Sequence, residues 1–530
     1  MKRFSRRELL RFAGISFGAA ALAGCAATPT AAPAATPAAT EAAKPEEKPT
    51  EVPAATAPPA AGVKLTTMWR TSPTENEMLE KVIAAWAKAH PDITVEPIYA
   101  PWDEYEPKLL AMYAGGIAPD VLGIGGTNPF AERFIRGMVL SLQPFIEADT
   151  ALREGLYPMS IKVYTLRGEL CALPHVICPA GVSFNATRFD EAGLKYPPYD
   201  WNDESWTWEA MIALAKQLTV DKDGDGKIDQ YGLNIGHRSI WYLTRMWGED
   251  VVSAEDYAEG VMHKLNTDKP EVYEALVAGV TAVADAIHKD KVNPTPDTAQ
   301  ALGQMGPMLK TGAIAMEFTG GWAIWPPLPE EMKFGIAPNP LAKTRGKQVW
   351  VDPVQITSTT KYPKESWEFC KYLVSADESW DIQIEHRTVV PAWQPALPKY
   401  VDRWGGTLVL SKDEYQKFLS QCLEQATNDV PCHVLVGWAA ARDTFIAELQ
   451  PVWLGTKSPK EAVDTLIPLV NEKFQEKLQE LQLAFHEEPV FGLNGATLLA
   501  SLNGCEGCSA SSGCSGHCAG CSKECASKKA

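Results

Sequence analysis

Three groups of side chains in this 530-residue chain have the types and spacing to do chemistry. The first is Asp221-Lys222-Asp223-Gly224-Asp225-Gly226-Lys227-Ile228-Asp229, which sets carboxylates at loop positions 1, 3, 5 and 9 and the Lys227 carbonyl at position 7. With glycine at position 6 for the sharp turn, that is EF-hand spacing for a hard cation. Position 12 is Gly232 rather than a bidentate Glu, so calcium would need a further carboxylate or extra water. A plain Asp-Gly turn between helix and strand is the bland alternative; a structural calcium is the expectation. The second group is Cys505, Cys508, Cys514, Cys518, Cys521 and Cys525, with His517 among them. The Gly, Ser, Ala and Lys around them can build no apolar core. Thiolates at these spacings could hold zinc or another soft metal, an oxidising exterior could pair them as disulfides, or they could stay reduced in an unstructured tail. All three readings stay open.

The third group is aromatic. Seventeen tryptophans all lie after residue 68. An indole can cover the apolar C–H face of a sugar ring while carboxylates, amides and arginine bind its hydroxyls. The candidates are Trp69 with Arg70 at the end of a first strand, Trp102 with Asp103 at the mouth of a second, Trp241 with Tyr242 at a loop-to-helix entry, and Trp350 with Asp352. Asp120 reads first as a turn cap and second as a ligand contact. Trp86, Trp367 and Trp380 fall on apolar helix faces and read as packing. Cys171, Cys178, Cys370, Cys422 and Cys432 read the same way.

The elements that must position these residues begin at Val63. Residues 63–69 read as a strand, and Thr74 with Glu77 gives a capping-box signature. The helix it opens has Met78, Leu79, Val82, Ile83 and Trp86 on one face. Pro91 ends it, residues 93–99 alternate as a second strand, residues 103–113 form another helix, and residues 121–124 a third strand. Strand, helix, strand, helix, strand implies an α/β fold with a largely parallel sheet, whose ligands sit beyond the carboxyl ends of the strands.

Bulk properties narrow the function. Sixty-six acidic against 49 basic side chains give a formal charge of −17, which repels phosphate backbones and excludes nucleic acid as a partner. Residues 26–62 are almost wholly Ala, Pro, Thr and Glu. Such a stretch cannot bury enough apolar surface to offset its ordering entropy, and at about 3.1 Å per residue in polyproline II it reaches roughly 100 Å. Some 430 residues remain for the body, more than one core normally spans, so two lobes are expected.

At this point the chain becomes recognisable. PWDEYEPKLLAMYAGGIAPDV (101–121) resembles the Asp-Tyr, Lys-Leu, Ala-Gly, Pro-Asp-Val run of family 1 extracellular solute-binding proteins, the capture subunits of sugar ABC transporters. FIRGMVLSLQPFIEAD (134–149), GVSFNATRFDEAGL (181–194), SWTWEAMIALAKQLT (205–219), KTGAIAMEFTGGWAIW (310–325), FGIAPNPL (334–341), YPKESWEFCKYLVSADE (362–378) and TVVPA (388–392) follow in the family's order. The resemblance covers about residues 63–480 and stops short of the cysteine tail. It implies a type II periplasmic-binding-protein-like fold, two α/β lobes joined by a hinge with the ligand clamped between them. Lobe 1 would take 63–178 and 355–404, lobe 2 would take 179–354 and 405–497, and 498–530 would be a tail. It also implies that Trp322, in the family's Gly-x-Trp motif, stacks on sugar, that ABC permease subunits are the partner, and that the protein is a monomer and no enzyme.

The first residues bear on location. Ser5-Arg6-Arg7-Glu8-Leu9-Leu10 resembles a twin-arginine export signal, and Leu22-Ala23-Gly24-Cys25 resembles the lipobox of bacterial lipoproteins. Residues 1–24 would then be removed, Cys25 lipidated, and 25–62 would tether the body to the outer face of the membrane. No apolar run of 18 or more residues follows Cys25. A secreted glycoside hydrolase is the rival reading, and it would need two carboxylates about 5 to 9.5 Å apart across the scissile bond. A metal-capture lipoprotein using the tail is another. Gly14-Ile15-Ser16-Phe17-Gly18 matches a serine-hydrolase elbow only formally, because it lies in the signal segment.

Overall fold

The computed structural model describes residues 62–70, 73–123, 130–236, 244–303, 305–324, 328–346, 348–386, 389–426, 428–429 and 435–485. The opening elements follow the sequence pattern. Strand β1 (Val63–Arg70) is flanked by β2 (Ile93–Ala100) and β3 (Val121–Leu122), both parallel to it. The helix between β1 and β2, Pro73–Ala89, buries Met78, Leu79, Val82, Ala85 and Trp86, the spacing of one apolar stripe. It starts ahead of Thr74, so no capping box forms there, and Glu77 instead holds Lys81 at 2.7 Å one turn on. The expected 103–113 helix is a 3-10 turn, Trp102–Glu104, running into an α-helix, Tyr105–Ala114.

A hairpin, β4 (Thr165–Leu166) and β5 (Glu169–Leu170), leads to β6 (Leu173–Asn185), the longest strand. After it come β7 (Tyr231–Asn234), β8 (Ile314–Gly320), β9 (Phe334–Ala337) and β10 (Gln348–Ile356), then the short β11 (Val390–Pro391) and β12 (Asn428–Asp429). The main sheet runs β2-β1-β3-β10-β6-β8-β7, with β9 and β11 added to β6 and β12 to β10. β6 and β10 cross between its two halves. β6 pairs with β10 as far as Pro179, then with β8 and β9 from Ala180 on. β10 pairs with β6 as far as Val354, then with β3 at Gln355 and Ile356. β6 thus changes partner between Pro179 and Ala180, and β10 between Val354 and Gln355.

Buried polar ties fix the crossing strands to the first half. Arg133 pairs with Glu106, and its Nη1 donates to Gln355 Oε1 at 3.0 Å, while Gln355 Nε2 donates to the Cys171 carbonyl at 3.1 Å. Breaking such a pair from one side would leave a charge buried without its partner, so it fixes geometry more than it adds stability. Among the described residues no helix is long and apolar enough to cross a membrane.

Candidate functional site

The crossing strands place the first site residues. In their antiparallel ladder Trp350 lies opposite Cys178 and Asp352 opposite Val176. Side chains alternate across a strand, so Trp350, Asp352, Cys178 and Val176 share one face and Val349, Val351 and Ile177 the other. The second face is sealed, all three residues at 0% exposure. On the first, Trp350, Asp352 and Cys178 stay half-buried, giving a partly accessible patch of indole, carboxylate and thiol, with Trp350 also packed against the core. A bulge follows Asp352 and sets Pro353 against Pro174.

Arg70 ends β1, directly beside Ala100 at the end of β2, and Trp102 follows two residues later. That register brings the Arg70 guanidinium over the Trp102 ring, 5.5 Å from its centroid. Trp102 is 38% exposed, one of the few large apolar side chains so open. Arg70 is also held by Glu75 in a two-pronged clamp, Nε to Oε2 and Nη2 to Oε1, each 2.7 Å. Glu75 sits in the first turn of the helix that follows β1, where a carboxylate is favoured by the helix dipole. Burial works to lower the Arg70 pKa. The Glu75 carboxylate outweighs it and carries the value up, with Asp352 and then Cys178 adding to the rise. Arg70 therefore stays charged, within electrostatic reach of the β6–β10 face.

On the far side, Glu317 of β8 is fully buried. Its carboxylate accepts the Gly306 N–H at 2.7 Å and the Asn234 side-chain amide at 2.9 Å. Burial pushes its pKa up to about 7 against those two donors. Asn234 closes β7 and Glu317 lies five residues before Trp322, so one carboxylate ties together the roots of both segments that carry second-lobe tryptophan candidates.

The other candidates separate. Trp69, expected on the binding edge, is 3% exposed and packs instead as core. Its Nε1 donates to Thr67 Oγ1 at 2.7 Å, its ring meets His175 edge-on at 6.1 Å, and a Cβ on Gly123 would lie 2.2 Å from the indole. Asp120 takes its first reading: its carboxylate accepts the Thr66 N–H at 2.8 Å and the Thr360 hydroxyl at 2.7 Å. Asp103 is exposed on the 3-10 turn. Trp241, Tyr242, Cys25, Cys432 and the tail cysteines Cys505, Cys508, Cys514, Cys518, Cys521 and Cys525 lie outside the described residues, as does the Trp322 side chain. Trp86, Trp367 and Trp380 are buried, as are Cys171, Cys370 and Cys422. Sequence reasoning passed over Glu75, Glu317 and the half-buried position of Cys178. The only signal for Glu75 was an acidic residue in the first turn after a strand-ending arginine.

In the acidic loop, Asp221, Asp223 and Asp225 are exposed and bring carboxylate oxygens within 4.8 Å of one another. Asp221 accepts the N–H groups of Gly224 at 2.7 Å and Gly226 at 2.8 Å, both glycines with positive φ. Asp229 turns to the Lys222 N–H at 2.6 Å, and Lys227 Nζ meets Asp225 at 3.0 Å. The first three carboxylates suit a hard cation; Asp229 stands outside that trio.

Comparison with known proteins places this architecture. Residues 71–379 match the family model described as bacterial extracellular solute-binding protein. A Brucella abortus (strain 2308) chain named only as a binding protein is 24% identical over 331 residues, 61% of this chain and 74% of that one. An uncharacterized lipoprotein of Streptomyces antibioticus is 25% identical over 305 residues, 56% of this chain and 63% of that one. Among solved structures, an ABC substrate-binding protein of Listeria monocytogenes in complex with cycloalternan superimposes at TM-score 0.64 with 20% identity, covering 78% of this chain and 99% of that one. The maltose/maltodextrin-binding domain of Bdellovibrio bacteriovorus bound to maltotriose gives 0.57 with 20% identity, covering 79% and 100%. The fold is that of type II periplasmic binding proteins. With its family model spanning more than half of its length, the chain belongs to the bacterial extracellular solute-binding proteins.

Proposed function

We propose that this protein is the capture subunit of an ABC importer, a non-enzymatic receptor that takes up a sugar or oligosaccharide outside the cytoplasm and hands it to membrane permease subunits. The observation that carries this reading is the corner where the Arg70 guanidinium lies over the exposed Trp102 ring and feels the charge of Asp352, which shares a half-buried strand face with Trp350. Indole faces suit the C–H side of a pyranose, and a carboxylate with a guanidinium suits its hydroxyls. The Listeria and Bdellovibrio proteins of the same fold hold cycloalternan and maltotriose, which supports the ligand class. Trp241, Tyr242 and Trp322 would close on the ligand from the second lobe.

Capture would proceed by hinge closure about the crossing strands, with affinity set by contacts made only when both lobes engage. Cys25 would carry the lipid and residues 26–62 the tether, leaving a monomeric body near the permease. The Asp221–Asp229 loop would hold a structural calcium, and the tail cysteines a soft metal or disulfides. Calorimetric titration with uncharged mono- and oligosaccharides, followed by chromatography of the recovered sugar, tests the receptor reading. Saturable binding with the sugar recovered intact is the expected result. Cleaved sugar would make the protein a hydrolase.

A further inference from the structure

The charges around the cleft go beyond ligand class to ligand charge. A free guanidinium at the carboxyl end of a parallel strand is an obvious receptor for a carboxylate or phosphate. Arg70 is not free in that sense, because Glu75 takes two of its nitrogens, Nε and Nη2, at 2.7 Å each. The pair is sheltered, with the Arg70 side chain 19% and the Glu75 side chain 13% exposed, so water screens it little. The guanidinium carbon lies 5.5 Å from the centroid of the Trp102 ring. Asp352, half-buried on the β6–β10 face, adds a second carboxylate within electrostatic reach of the same arginine. Glu75, and after it Asp352, are thus the carboxylates that act on Arg70.

We infer that the Arg70–Glu75 clamp, with Asp352, makes this cleft selective for uncharged polyhydroxylated ligands and against sugars carrying a carboxylate or phosphate. An anionic ring brought here would meet an arginine already neutralised and an uncompensated Asp352, and would lose its hydration without gaining a counter-charge. A neutral ring loses nothing comparable. Its hydroxyls donate to Asp352 and accept from the outer guanidinium N–H groups. Glu75 thus determines specificity without touching the ligand, by occupying the arginine. The inference rests on the receptor reading above.

The test pairs each neutral sugar with its acid: glucose with glucuronate, galactose with galacturonate, and maltose with maltobionate. Each is titrated calorimetrically into the wild type, Glu75→Gln and Asp352→Asn, with thermal melts confirming that each variant is folded. The wild type should prefer the neutral member of the pair it binds by at least tenfold. Glu75→Gln should narrow that gap at least threefold by freeing Arg70, and Asp352→Asn should narrow it independently. An acid that binds the wild type as tightly as its neutral partner overturns the inference and leaves the receptor reading standing. A gap unchanged in both folded variants overturns the role of the clamp. Binding of no sugar at all removes the receptor reading and this inference with it.

Discussion

Arg70 meets Trp102 because β1 and β2 end in register, and it is neutralised because the next helix opens with Glu75 two residues inside its start. At this scale the sequence was a partial guide. Trp102, at the mouth of β2, is exposed, whereas Trp350, on the crossing strand β10, is half-buried against the core. Trp69 is buried, because β1 is a central parallel strand covered on both faces, so alternation could not say which side was open. The Glu75 clamp was hidden for a different reason: whether an acid at a helix start turns back to the preceding strand depends on the loop between them. Trp322→Ala is expected to weaken sugar binding at least tenfold, about 1.4 kcal/mol or more, in calorimetry. Unchanged affinity would take that residue out of the site. For the acidic loop, calcium should raise the melting temperature of the wild type and leave Asp221→Asn/Asp223→Asn unmoved. An equal rise in both would place the cation elsewhere.

The elements most relevant to function are β6 and β10, and neither is legible from local periodicity. β6 is an almost continuous apolar run, and its register with β10 joins residues far apart in the chain. Local pattern gave β1 to β3 and the first helix because each is decided by its own residues. At the bulge after Asp352, Pro353 faces Pro174, and neither ring can donate a ladder hydrogen bond, which leaves a point where the pair bends with little loss of pairing. Glu317 ties the second half to pH. Its folded pKa of about 7 lies above the ordinary carboxylate value because burial outweighs its two donors. Below the unfolded value, about 4.3, both states hold the proton and Glu317 contributes no slope. Between there and about 7 only the folded state keeps it, so stability falls as pH rises, by on the order of 4 kcal/mol in all, and levels off above. Urea unfolding at pH 5 and pH 8 should show this fall, and Glu317→Gln should flatten it. An unaltered slope in that variant would assign the dependence to other groups.

For the whole molecule, the fold supplies two sheet halves that share two strands, β6 and β10. Order along the chain was enough to identify the family, because its motifs recur in sequence even where single residues do not match. The candidates of the second half, Trp241, Tyr242 and the Trp322 side chain, lie outside the described residues, so what they contact was not legible. Deleting residues 26–62 while keeping Cys25 should leave sugar affinity in detergent unchanged and lower uptake in cells, measured with labelled sugar. Unchanged uptake would deny the tether a role. The central claim is that a ligand draws the two halves together about β6 and β10. Small-angle X-ray scattering of the body, residues 62–485, with and without a saturating sugar tests it directly. A smaller radius of gyration with sugar bound is the predicted result, and superimposable curves at proven saturation would contradict it.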